Sequence, residues 1–333
     1  MMLKQLTVLI VLFALTYNVQ ATECGKVTIA DMNWDSATFV ANVDSFILQH
    51  GFDCETELVP TETIVAAKSI LLQGKPDIIP EMWRNALKGG LEYGIEKDKI
   101  KFVGKVLYEG GLEGFWVPAY MVEKEPSLAT IAGVKQHSYL FKRPDLGNTQ
   151  PFFSCAPDWR CQNTVTNLFK ALDLKQAGFE LTPTDEITGL SGSIAHAYAK
   201  KSPWIGYYWS PTAVLGNYKM VRVDFNAGVD REYFQECIEK KHCKNPRVTM
   251  FPSRAVDTIV TLKFSQRAPA VMMYLSSRSF TNQDMNNLMA WKVNHNADGK
   301  QTMVEFLMHY ETIWTQWVSP PVANKIRRAL TNL

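Results

Sequence analysis

Between Lys26 and Trp83 the period of the apolar residues switches back and forth, and no other feature of the chain limits the possible folds as tightly. KVTIADM (Lys26–Met32) is short and rich in β-branched residues, which predicts a strand. From Ser36 to Gln49 the apolar Phe39, Val40, Val43, Phe46, Ile47 and Leu48 recur at helical spacing, and Gly51-Phe52-Asp53 ends the run. Cys54–Val59 predicts a second strand and Thr61–Gln73 a second helix, stopped by Gly74. Asp77–Pro80 predicts a third strand, with Trp83 beyond its carboxyl end. Strands alternating with helices must cross over to pair, so the fold class is α/β with a mainly parallel sheet flanked by helices. Ligands of such sheets sit beyond the carboxyl ends of the strands. Trp34 and Trp83 both fall there.

A looser alternation follows. Cys161–Leu172 and Leu190–Lys200 read as helices, Phe179–Pro183 and Trp204–Tyr208 as strands, and Trp209 again stands at an element end. Arg247–Lys263 looks like a return to strand structure, and residues 267–318 are mostly helical, with Trp291, Trp314 and Trp317 expected in the core. The natural architecture is two lobes with a cleft between them: residues 22–117 plus 251–333 in one, and 118–250 in the other.

The amino terminus places Lys4 before an apolar run from Leu6 to Leu15, followed by Val19-Gln20-Ala21. This is the pattern of a secretory signal occupying residues 1–21 and cleaved after about Ala21. The run is about half the ~20 residues that span a bilayer. An exported, periplasmic chain meets an oxidising compartment, and all six cysteines lie beyond the signal. Spacing suggests Cys155–Cys161 and Cys237–Cys243 as short loops, leaving Cys24–Cys54. No C-x-x-C occurs and the histidines are scattered, so neither a metal site nor a cofactor is expected. The formal net charge of +2 gives no basis for a nucleic-acid or membrane-surface role.

Tryptophan carries the functional signal. Trp34 (MNWDS), Trp83 (EMWRN), Trp159 (CAPDWRC) and Trp209 (YYWSP) all sit at strand or loop ends, and Phe115 and Trp116 in EGFWVP are candidates for a further wall. Indole faces attract cations. A quaternary ammonium has no N–H to donate, so several aromatic faces hold it best, at ~2 kcal/mol or more each when desolvated. Core packing is the ordinary fate of any one tryptophan; four at element ends are harder to explain that way.

CAPDWRC and GYYWSP, supported by EMW and GFWVP, resemble the substrate-binding proteins of ABC importers for glycine betaine, proline betaine, choline and carnitine. The resemblance implies a two-lobed periplasmic binding protein fold, with tryptophans from both lobes around the ammonium group. Trp83 would come from the first lobe, Trp159 and Trp209 from the second. The Cys155–Cys161 closure would restrict the loop and pre-order Trp159, with a gain of ~2–3 kcal/mol for so short a loop. The backbone N–H groups of Arg160, Cys161 and Gln162 open a helix and would form an anion site. The implied partners are a small quaternary ammonium ligand and an inner-membrane permease, with the chain acting as a monomer. Two positions depart from the family pattern: Leu87 stands where relatives carry a histidine, and Arg160 where glycine is common. Asp31, Asp35 and Asp158 are candidate acids near the cation. A sugar binder, a sensor domain and an enzyme are the rival readings; GLSGS (Gly189–Ser193) lacks the spacing of a nucleophile elbow.

Overall fold

The computed structural model describes residues 24–332, apart from 157, 158, 160, 185 and 186. The expected export signal, Asp158 and Arg160 therefore lie outside the described residues. Ten strands run in chain order: β1 Lys26–Met32, β2 Glu55–Thr61, β3 Ile78–Trp83, β4 Ile100–Lys105, β5 Leu112–Pro118, β6 Pro151–Ser154, β7 Glu180–Pro183, β8 Gly206–Ser210, β9 Met220–Arg222 and β10 Val256–Thr261. They form two five-stranded sheets, ordered β2-β1-β3-β10-β4 and β7-β6-β8-β5-β9. In each sheet four strands run one way and the fifth runs against them: β10 in the first, β5 in the second. The reversed strands are the two next to the crossings between sheets.

The opening alternation folds as its periodicity requires. The helix Asp35–Gly51 buries Phe39, Val40, Val43, Phe46 and Ile47 against the first sheet, with Asp35 in its first turn and His50 in its last, as the helix dipole favours. The helix Thr63–Gln73 stops at Gly74, whose φ of 65° is left-handed. Cys24–Cys54 ties the start of β1 to the start of β2, and Cys155–Cys161 and Cys237–Cys243 each close a loop with a separation of six residues, as the spacing suggests.

Three expectations change. Strand β5 belongs to the second sheet, so the first crossing lies between Val106 and Gly111 rather than after residue 117. Within Arg247–Lys263 only Val256–Thr261 forms a strand; Pro252 offers no N–H to a ladder. Trp314 and Trp317 are core residues, but Trp291 is only half-buried and stacks on His295, with ring centroids 4.5 Å apart.

Among the described residues the sheets are tied at the crossings and on one further face. At the crossings, Gly111 and Arg254 pair through both backbone bonds, at 2.8 and 2.9 Å. On another face, Asn286 of the helix Asn282–Asn294 accepts from Ser210 Oγ at 3.1 Å and from the Thr212 N–H at 2.7 Å. Gly216 lies so close to the Asn286 carbonyl that a Cβ would overlap it.

Candidate functional site

A cavity of about 570 Å³ lies between the sheets. Trp83 and Asn85 line it from the first sheet, at the end of β3. Trp159, Cys161, Asn163, Thr164, Tyr207 and Trp209 line it from the second. Trp159 stands on the loop closed by Cys155–Cys161, where its N–H donates to the Ala156 carbonyl at 3.1 Å. Its ring meets Trp209 edge to face, centroids 5.9 Å apart and planes at 69°. Trp209 is backed by Tyr208, stacked at 4.6 Å. Gly111 lies against Trp83: a Cβ there would stand 2.2 Å from Cζ3 and 2.3 Å from Cη2 of the indole, far inside contact distance. Only glycine leaves room for the indole.

Charged groups cross one side of the cavity. Arg254 pairs with Glu113 at 2.8 Å and with Glu239, and Tyr207 donates to Glu113 at 2.7 Å. Burial works against the Arg254 charge, but the two glutamates outweigh it and its pKa rises. Burial, reinforced by Glu113, holds the Tyr207 hydroxyl well above its usual value. Glu239 and Lys240 are presented by the loop that Cys237–Cys243 closes.

Of the residues expected to bind ligand, Trp83, Trp159, Cys161 and Trp209 come together on this cavity. Phe115 does not. It lies deeper along β5, fully buried, with its ring against Phe152 at 4.6 Å and Phe251 at 5.6 Å; it is core. Trp34 does not line the cavity either; its indole N–H donates to Glu81 at 3.1 Å. Trp83 donates to the same Glu81 oxygen at 3.0 Å. The expected anion site is reduced, since the Gln162 N–H donates to the Trp159 carbonyl at 3.0 Å. Asp35 turns to the surface and pairs with Lys292 at 2.7 Å. Leu87 packs on the core of the first sheet. Glu81, Glu113, Glu239, Lys240 and Arg254 went unnoticed in the sequence reading. Glu81, two positions before Trp83, and Glu113, which opens EGFWVP, lay within quoted motifs.

A family model described as the substrate binding domain of ABC-type glycine betaine transport systems matches residues 25–308. The chain belongs to that family. Its members are binding components of transport systems rather than enzymes. No curated protein matches this family member significantly. Among solved structures, it is similar to a choline-binding protein of an ABC transporter in complex with choline, at 17% identity and TM-score 0.53, over 92% of this chain and 98% of that one. A glycine betaine/L-proline-binding protein from Borrelia burgdorferi is 18% identical, TM-score 0.54, over 90% and 99%. Lactococcal OpuAC, closed on glycine betaine, is 16% identical, TM-score 0.54, over 89% and 100%. Likeness at these identities establishes the two-lobed fold. Among the described residues no helix is long and apolar enough to cross a membrane, and no cluster of possible metal ligands occurs.

Proposed function

We propose that this substrate-binding domain is exported to the periplasm, with its signal removed after about Ala21, and works as a monomer that captures a small quaternary ammonium compound. Glycine betaine is the type ligand. The captured ligand passes to an inner-membrane ABC permease. The observation that carries this reading is the meeting of Trp83 from one lobe with Trp159 and Trp209 from the other around a single cavity. We divide the lobes near Gly111 and Arg254. The cavity is wider than a small onium ion needs, so closure of the lobes brings the three faces into contact with it. Ligand binds the closed form more tightly and shifts the population toward it. Arg254 and Lys240 are the cations that could meet a ligand carboxylate, in place of the missing histidine at Leu87.

Titration calorimetry of the mature, oxidised protein with glycine betaine, carnitine and choline tests the reading. Binding of any one at micromolar strength, unaffected by simple sugars, is the expected result. No binding of these, nor of dimethylsulfoniopropionate or trimethylamine N-oxide, would refute it. A zwitterion preferred over choline assigns a carboxylate site near Arg254 and Lys240; the reverse order removes it.

Gly111→Ala tests the seat of Trp83 separately. The added methyl must push the indole aside, so affinity should fall about tenfold or more, as expected from the loss of one aromatic face. Calorimetry reads the affinity, and an unchanged melting temperature shows that the fold is kept. Unchanged affinity would mean that Trp83 does not contact the ligand.

A further inference from the structure

The charged side chains that line the cavity cancel: Glu113 and Glu239 stand against Lys240 and Arg254. Among the described residues a ligand cation therefore finds no net counter-charge on the walls. Among the described residues, a further carboxylate lies directly behind the Trp83 ring. Glu81, on β3, is wholly buried, and its Oε1 accepts three hydrogen bonds: from Trp34 Nε1 at 3.1 Å, Trp83 Nε1 at 3.0 Å and Ser36 Oγ at 3.0 Å. Its Oε2 is buried without a partner among the described residues. Among the described residues no ion pair reaches it within salt-bridge distance; Arg278, whose charge acts on it, is engaged by Asp44 at 2.8 Å.

We propose that Glu81 is a specificity-determining residue that never touches the ligand: a buried carboxylate that holds Trp34 and Trp83 by their indole N–H groups and supplies the counter-charge for an onium cation on the far side of the Trp83 ring. The hydrogen-bond inventory supports the ionised form. Three donors converge on Oε1, which favours a full negative charge there; Oε2 meets neither donor nor acceptor among the described residues. Burial is the largest influence and leaves the Glu81 pKa raised, although Trp34, Trp83, Ser36 and Arg278 pull toward the anion; the charge is therefore what Glu81→Gln tests. An anion on the indole N–H adds electron density to the ring, and its field acts through a poorly screened interior. Both effects favour a cation over a neutral molecule of the same shape. A glutamate there that served packing alone would be worse than glutamine, which presents the same carbonyl oxygen without a charge.

The proposal rests on the quaternary ammonium reading, and its test separates the two. Choline and its uncharged isostere, in which carbon replaces the nitrogen, are titrated into the unaltered protein and into Glu81→Gln. The amide oxygen can still accept from both indoles. The preference for choline over the isostere should fall about tenfold or more in Glu81→Gln, while affinity for the isostere stays nearly unchanged. If both affinities fall together, or the preference is kept, Glu81 has only a structural part and the proposal is overturned. If the unaltered protein binds no onium compound at all, the functional reading fails and takes the proposal with it. Should Glu81→Gln not fold, the unaltered protein still decides through NMR of its indole N–H groups. The Trp34 and Trp83 resonances should lie downfield of those of the other seven tryptophans and move with choline but not with the isostere. Resonances in the ordinary range, or an equal response to both compounds, would overturn it.

Discussion

Arg278→Leu should destabilise the folded chain by about 3–5 kcal/mol, the range for breaking a buried ion pair by removing one partner. Arg278 and Asp44 are both fully shielded from solvent, with Nε and Oδ1 2.8 Å apart. Tyr274 adds its hydroxyl to the same Asp44 oxygen at 2.6 Å. The guanidinium also reaches the Pro80 carbonyl and Thr258 Oγ1, so one side chain joins the helix Asp35–Gly51 to β3 and β10. Leucine fills much of the space but leaves the Asp44 charge in the core. The urea midpoint by circular dichroism reads the loss. Two controls give it meaning. Lys325→Ala breaks the surface pair with Asp53 and should cost no more than about 1 kcal/mol. Arg278→Leu combined with Asp44→Leu should recover most of the loss, because an apolar pair carries no desolvation penalty. An unchanged midpoint in the single variant would show that the pair carries no such weight.

Trp209→Ala and Trp159→Ala should each weaken quaternary ammonium binding by about thirtyfold, the equivalent of ~2 kcal/mol for one desolvated cation–π face. Trp209 is the stronger test. It closes the cavity from β8 and supports Trp159 at 5.9 Å, so its loss also frees the second ring. Phenylalanine at either position keeps a weaker face and should recover part of the affinity. The two alanine changes should not add, since the rings touch. Calorimetry with glycine betaine or choline, whichever binds, measures the effect. Wild-type affinity in a folded Trp209→Ala would remove that tryptophan from the site.

The parts of this fold that local chemistry dictates were legible. β1, the helix Asp35–Gly51 and β2 follow one another and pack on one another, so apolar spacing alone reveals them. β10 was harder. It lies between β3 and β4, where Asp257 aligns with both Met82 and Lys105, and nothing near Asp257 in the chain announces those partners. The cavity shows the same division. Trp83, Trp159 and Trp209 stood out because a large aromatic at an element end is unusual. Phe115 misled because depth along β5, rather than residue type, separates a cavity wall from the core. Glu113, Glu239 and Arg254 are ordinary surface residue types; only the return of the chain places them together. Glu81 lay in a quoted motif, yet its role depends on Trp34, 47 residues away.

Two attachments define a line. One is the paired backbone of Gly111 and Arg254; the other is the Asn286 clasp on Ser210 and Thr212. If both persist, one half of the molecule can turn against the other only about the axis through them, leaving a single degree of freedom. Points near that axis travel little, and displacement grows with distance from it. Trp83 sits against Gly111 and Trp209 adjoins Ser210, so each ring stands beside one end of that axis and closure re-angles the faces more than it carries them.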